Sequence, residues 1–220
     1  MMVHNKIIKT VAIFLSLCMM FLSLTDQVEA KSKGKKPIVI SFDHRRNIGS
    51  TKGMSTDAVS SATIYSGATG EKKSTIEVIR STIKSGTGAA NFNIKVKKTY
   101  SKNYRKTVNR ARKEIDNDTQ VKLVKKKVSG LKKYDTVYLV IPVWHATLPQ
   151  PVKVFLKAND FSGKKIYVFG SHLGSGFGEN VEKIKELCPD AKVIAGKAYE
   201  GDAKNKSVKK SVKKWLKANS

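Results

Sequence analysis

The sequence predicts an α/β fold, a doubly wound sheet of five parallel strands with helices on both faces, from three observations. Apolar runs such as PIVISFDH, DTVYLVI and KKIYVFGSH have the continuity of strands buried on both faces. Other stretches place apolar residues at helical spacing, as at Ile76, Ile79 and Ile83 of KSTIEVIRSTIK. The two kinds of segment alternate along the chain, the order that parallel strands joined by crossover helices require.

Each element has its own signal. PIVISFDH opens the fold as the first strand, and a connection rich in Gly, Ser and Thr follows over residues 45 to 70, long enough to suggest a functional loop. KSTIEVIRSTIK is the first helix. NFNIKVKK alternates Phe92, Ile94 and Val96 with polar residues, as a half-exposed strand does. YRKTVNRARKEIDND reads as a polar helix, VSGLKKYDTVYLVIPVW as a loop and the third strand, and PVKVFLKAND as a short helix. KKIYVFGSH, GENVEKIKELC and AKVIAGKAY continue as strand, helix and strand. NKSVKKSVKKWLKAN closes the chain as an amphipathic helix with Val208, Val212, Trp215 and Leu216 on one face. No internal repeat is present, and residues 37–220 form one domain.

At the N-terminus, His4, Lys6 and Lys9 precede VAIFLSLCMMFLSL, too short to span a bilayer and suited to a signal peptide. VEA places cleavage after Ala30, so residues 1–30 read as a leader and 31–36, KSKGKK, as a basic tether. Lipidation at Cys18 is disfavoured by Leu17 before it; a membrane-retained leader is the other alternative. With no second apolar run, no transmembrane segment is expected after cleavage, and the protein is expected to be secreted or associated with the cell surface. Cys188 then stands alone, which excludes an intramolecular disulfide; in ELCPD it reads as a small buried residue.

Lys and Arg number 43 against 17 Asp and Glu, a net charge of +26. The excess is lysine spread over many segments, not arginine clustered with aromatics, so nothing points to specific nucleic-acid recognition. Such a surface suits anionic wall polymers, lipid head groups or acidic partner proteins.

In doubly wound sheets ligands bind beyond the carboxyl ends of the strands, where strand order reverses. The loops that meet there are residues 43–75, PVWHATLPQPV and GSHLGSGFGEN. His44, His145 and His172 converge on that edge, yet only Asp43 neighbours any of them, which argues against a metal site. GSGFG lacks the elbow and acidic partner of a serine hydrolase, and no catalytic residue is assigned.

The segment from Tyr134 to Gly196 resembles the second half of flavodoxin-like proteins. The resemblance rests on Tyr134-Asp135, Pro142-x-Trp144, the spaced Pro149 and Pro151, FSGK at 161–164 and HLGSGFG at 172–178, in order. DAVSSATIYSG is similar to a loop inserted after the first strand in some members. The resemblance implies strand order 2-1-3-4-5 and a noncovalent FMN site. Trp144, behind Pro142, would stack on one face of the isoalloxazine, with His145, Ala146, Thr147 and Leu148 at its polar rim. His172, Gly174, Ser175 and Gly176 would close the other side. The phosphate loop of such proteins, S/T-x-T-G-N-T, is absent. Its nearest counterparts are Ser66, Gly67, Ala68, Thr69 and Gly70, with Lys72 and Lys73, or Ser74 and Thr75 if the helix starts later, and Ser41 at the end of the first strand. DAVSSAT also resembles a sequence that receives FMN covalently on its threonine, here Thr63, with Ser61 in place of the usual glycine. Two functions follow: an extracytoplasmic FMN protein for electron transfer or flavin-dependent reduction, whose redox partner presents an acidic surface, or a flavodoxin-like fold with weakened FMN binding that acts as a cationic surface-binding module.

Overall fold

The strands are β1 (Ile38–Ser41), β2 (Ala90–Asn93), β3 (Thr136–Pro142), β4 (Lys165–His172) and β5 (Lys192–Glu200); β1, β3 and β4 are rich in apolar and β-branched residues, whereas β2, ANFN, is a partly exposed strand without a β-branched residue. The computed structural model describes residues 35–49, 73–201 and 203–219. All strand pairs are parallel, in the order β2-β1-β3-β4-β5. The order reverses between β1 and β3, and a crevice therefore opens at their carboxyl ends.

The period-two alternation of the strands sorts their side chains into two cores. Ile38, Ile40, Val137, Leu139, Ile141, Ile166 and Val168 pack with residues of α2 (Tyr104–Asp116), α3 (Gln150–Lys157) and α4 (Asn180–Leu187). Val39, Tyr138, Val140, Tyr167 and Phe169 pack with α1 (Thr75–Thr87) and α5 (Asn205–Asn219). Ile76, Ile79 and Ile83 are fully buried, as their helical spacing predicts, and Val208, Val212 and Leu216 form the buried stripe of α5. Trp215 lies edge-on to Tyr167 and Phe169, each at 4.9 Å.

Helix ends are chemically marked. Ser74 caps α1 by accepting from the Glu77 N–H, and Gly88 ends it in the left-handed region at φ 66°. Asn103 caps α2 by accepting from the Lys106 N–H. Among the described residues, no helix is long and apolar enough to cross a membrane.

The second strand differs from the alternation read at Phe92, Ile94 and Val96. It ends at Asn93, and Ile94 and Val96 are buried beyond it. The Ile94 N–H still donates to the Ser41 carbonyl at 2.8 Å, and one side chain takes the next two groups: Asn47 Nδ2 donates to the Ile94 carbonyl at 3.1 Å, and Asn47 Oδ1 accepts from the Val96 N–H at 2.8 Å. An amide therefore takes the place of a strand neighbour, a substitution that hydrophobic pattern does not reveal.

Pro142 ends β3 without disrupting it. Phe42 N–H donates to the Val140 carbonyl on the β1 side, and Val143 N–H donates to the Ser171 carbonyl on the β4 side. Position 142 therefore faces β1 just where β1 leaves the sheet, so the missing N–H forfeits no ladder bond.

Candidate functional site

Beyond β3 the chain folds back at once. Trp144 N–H donates to the Thr147 carbonyl at 3.0 Å and Thr147 N–H donates to the Trp144 carbonyl at 2.9 Å. His145 and Ala146 between them have φ of 51° and 60°. Two consecutive non-glycine residues in the left-handed region are costly, and surrounding contacts must hold them. Two such contacts are present. His145 Nε2 lies 3.2 Å from the Val108 carbonyl of α2, to which it donates, and Glu179 N–H donates to the Ala146 carbonyl at 2.8 Å.

The loop after β4 is shaped to meet that turn. Gly174, Gly176 and Gly178 have φ of 92°, 58° and 50°. At Gly178 a Cβ would stand 2.1 Å from the Ala146 carbonyl oxygen, so only glycine permits the two loops to touch. His172 Nδ1 accepts from the Gly174 N–H at 3.0 Å, which places a neutral imidazole's proton on Nε2. Asn180, fully buried at the start of α4, donates through Nδ2 to the Pro142 carbonyl at 3.3 Å.

Between the two loops and α2 lies a half-open cavity of about 250 Å³. Val143, Trp144, His145 and Ala146 line it from the β3 side, Leu173 and Ser175 from the β4 side, and Tyr104, Thr107, Val108 and Ala111 from α2. Tyr104 and Leu173 are 36% and 44% exposed. The α2 wall is fixed from behind: Tyr100 donates to Glu114 Oε2, Arg110 Nε donates to Glu114 Oε1 at 2.7 Å, and the Arg110 guanidinium sits 4.0 Å over the Tyr100 ring. Burial and the Glu114 carboxylate hold the Tyr100 hydroxyl well above its ordinary range, so it remains a proton donor.

Trp144 is not the open slab that the sequence suggests. It is 3% exposed and surrounded at near-right angles by Phe42, Tyr100 and His44, with ring centroids 5.3, 5.1 and 6.0 Å away. A residue so enclosed cannot offer a free face for stacking. What it does offer is a buried indole N–H that has no hydrogen-bond partner among the described residues.

Other predicted contacts separate in the same way. His145, Ala146 and Ser175 line the cavity. Pro142, Thr147, Leu148, His172, Gly174 and Gly176 do not; they build the loops behind it, with Leu148 in the core. Ser41 is 1% exposed and donates to Asn93 Oδ1 at 2.9 Å, a strand-to-strand bond that removes it from any ligand. Thr63, Lys72 and the run Ser66, Gly67, Ala68, Thr69 and Gly70 lie outside the described residues. The α2 wall was missed, although Tyr104, Thr107, Val108 and Ala111 stand at i, i+3, i+4 and i+7, the signature of one helix face.

At the crevice between β1 and β3, the start of α1 is occupied by the chain's own carboxylates. Asp43 Oδ2 accepts from Ser74 Oγ at 2.9 Å and Oδ1 accepts from the Arg45 N–H at 3.0 Å. Burial raises the Asp43 carboxyl above its ordinary range, against the two hydrogen bonds that lower it. Glu77 is bound by Arg46 at 2.7 Å and by Arg80. Although it is partly buried, these arginines hold its carboxyl below the ordinary range. Beside them His44, 1% exposed, is lowered to about 4 by burial.

The residues present fit the ring end of a flavin. The cavity walls are mostly apolar with a few polar groups, the composition of a cofactor site. Its volume is below the roughly 300 Å³ at which whole ligand pockets begin, which is room for part of such a ligand. At the described start of α1 the Ser74 hydroxyl donates to Asp43, and Arg46 and Arg80 pair with Glu77, so the donors a phosphate would use are already engaged within the chain.

A family profile described as Flavodoxin matches residues 63–219. No curated protein matches the chain. Among solved structures, a protein titled as a flavoprotein from Bacteroides uniformis is similar at 20% identity and TM-score 0.60, over 84% of this chain and 99% of that one. One so titled from Bacteroides eggerthii is similar at 17% identity and TM-score 0.58, over 83% and 96%. A flavoprotein in complex with FMN from Lactobacillus acidophilus is similar at 18% identity and TM-score 0.51, over 83% and 99%.

Proposed function

The chain belongs to the flavodoxin family, and from that premise we propose that it is an FMN-binding flavoprotein that holds the ring of its cofactor in the cavity between α2 and the loops after β3 and β4. The observation that carries this reading is the buried Trp144 N–H, which has no partner among the described residues, in a residue that lines the cavity. An unpaired buried donor costs about 1–3 kcal/mol unless something accepts from it. The rim of an isoalloxazine carries carbonyl oxygens and ring nitrogens that accept, and the FMN of the Lactobacillus acidophilus relative supports that choice of ligand. When bound, FMN supplies exchange of one or two electrons. Within the chain, Val108, Ala111 and Val143 exclude water, while Thr107, His145 and Ser175 offer polar edges. The proton of Tyr100 stays on its oxygen behind α2.

The finer reading is an electron carrier or small reductase that acts outside the cytoplasm. The leader-like residues 1–30 support the location. Exposed Tyr104 and Leu173 beside the mouth suit electron exchange with a docked protein, and a net charge of +26 calls for a partner with an acidic surface. A second reading is favoured by one observation: at the start of α1 the Ser74 hydroxyl and the Arg46 and Arg80 guanidinium groups are engaged by Asp43 and Glu77, so few donors remain for a phosphate, FMN binding is weakened and the cationic surface carries the function.

Absorbance and mass of the purified chain, before and after denaturation, separate these readings. The proposal expects flavin bands, restored by added FMN and lost from the protein on denaturation. Colourless protein that FMN does not restore supports the second reading, and flavin mass retained after denaturation points to Thr63.

A further inference from the structure

We propose that the groove between α1 and α5 binds a linear phosphate-bearing polyanion, a flexible chain recognised by its repeated charge. The groove is a concave space of about 540 Å³ lined by Lys73, Lys206 and Lys209 together with Ser81, Ser85 and Asn205. Among the described residues no carboxylate lines it. Asn205 Nδ2 donates to the Lys73 carbonyl at 3.2 Å, which fixes the start of α5 against the segment before α1.

The helix that forms one wall differs from its neighbours. Its sequence, NKSVKKSVKKWLKAN, holds six lysines and no acidic residue, and all six lysines are exposed. The other helices neutralise part of their charge: Arg80 pairs with Glu77 on α1, Arg110 with Glu114 on α2, and Lys183 with Glu186 on α4. On α3, Lys153 and Lys157 pair with Asp118. No lysine of α5 has an ion pair among the described residues. Its lysines also recur at i and i+4, as in Lys206 and Lys210 or Lys209 and Lys213, where like charges repel. A ligand with closely repeated negative charge relieves that repulsion all along a helix of about 22 Å.

The same surface disfavours other anionic partners. The apolar stripe of α5 is buried against the sheet, and among the described residues the exposed large apolar side chains are Tyr104, Val124 and Leu173, none of them on α5, so this helix has nothing to insert into a bilayer. Trp215 is half-buried against Tyr167 and Phe169 and does not line the groove, so the groove offers no ring for stacking bases. Lysine heads are strongly hydrated point charges suited to charge recognition without fixed geometry.

The test titrates the full chain with long-chain inorganic polyphosphate. A groove variant, K73Q/K206Q/K209Q, is compared with a control that removes equal charge from another exposed stretch, K125Q/K126Q/K127Q, and with K73R/K206R/K209R, which keeps the charge. Circular dichroism confirms the fold of each. The groove variant is expected to lose on the order of 100-fold in affinity near physiological salt, and its slope of log affinity against log salt falls by about 2. The control loses less than about 3-fold, and the arginine variant binds like wild type. Equal losses in groove and control variants would show nonspecific attraction and overturn the proposal, as would failure of the wild type to bind. Tighter binding of oligothymidylate at equal charge would assign a nucleic acid instead, and groove-dependent binding that appears only with vesicles of phosphatidylglycerol would assign a membrane surface. The flavin spectrum is read separately, and K206Q/K209Q, which spares Lys73 beside the candidate phosphate residues, keeps the two sites apart: loss of polyphosphate affinity in that pair with an unchanged flavin spectrum is expected, and unchanged polyphosphate affinity in it would overturn the groove.

Discussion

Replacing Gly178 by alanine tests how the two loops of the cavity are joined. The added Cβ would stand 2.1 Å from the Ala146 carbonyl oxygen and 2.7 Å from its carbonyl carbon. Relief requires a shift of more than about 1 Å to reach ordinary contact distance, which breaks or stretches the 2.8 Å bond from Glu179 N–H to the Ala146 carbonyl. Loss of that bond costs about 1 kcal/mol, and alanine at φ 50° adds about 1–2 kcal/mol. The sum is about 2–3 kcal/mol. Gly176→Ala is the control: its φ is 58°, but nothing lies within 4 Å of the new Cβ, so only the backbone cost of about 1–2 kcal/mol applies. Urea unfolding of both variants reads the difference of about 1 kcal/mol directly, and thermal midpoints should fall by roughly 8 °C and 5 °C. Because the turn at His145 and Ala146 moves only in Gly178→Ala, flavin affinity should also fall in that variant alone. Equal stabilities for the two variants would refute the claim that the loops are locked by this contact.

Two further outcomes follow from buried groups. Asn47→Ala should destabilise by about 2–4 kcal/mol in urea unfolding, because Ile94 and Val96 lose their backbone partners in a buried site while the Asp43 carbonyl loses a donor. His44 is lowered by burial from 6.5 to about 4. The unfolded chain therefore takes up a proton as pH falls below about 6.5 while the folded chain does not, and stability present at neutral pH is lost on the way down to pH 4. That loss amounts to about 3 kcal/mol, and it should appear as a change of about that size in the stability difference between wild type and His44→Gln, measured by unfolding at pH 7 and at pH 4.5. A constant difference across that window would remove the burial argument.

The strands and helices were legible because their signals are local and periodic. Ile76, Ile79 and Ile83 mark a face, and TVYLVI leaves no choice but a strand buried on both sides. Pro142, expected among the cofactor-binding residues, instead ends β3. The extent of β2 was not, since the partner that replaces a neighbouring strand is the side chain of Asn47, 47 and 49 positions away from Ile94 and Val96. In the cavity, His145 and Ser175 were found through glycine, proline and aromatic landmarks in their loops. Trp144 was placed correctly in sequence but given the wrong surroundings: its enclosure depends on Phe42, His44 and Tyr100, which come from segments that motif reading does not join. The α2 wall carried a readable pattern at Tyr104, Thr107, Val108 and Ala111, hidden by the many cations between them. The carboxylate of Asp43 at the start of α1 is a tertiary fact with no sequence mark.

The central claim is that the buried indole N–H of Trp144 awaits an acceptor on a flavin. Titration of wild type and Trp144→Phe with FMN, followed by quenching of flavin fluorescence, tests it most directly. Phenylalanine keeps an aromatic plug and removes the unpaired donor, so stability should stay within about 1 kcal/mol of wild type, while FMN affinity falls by about 5- to 10-fold, the worth of one hydrogen bond. Equal dissociation constants for the two proteins, or no quenching by the wild type, would contradict the account.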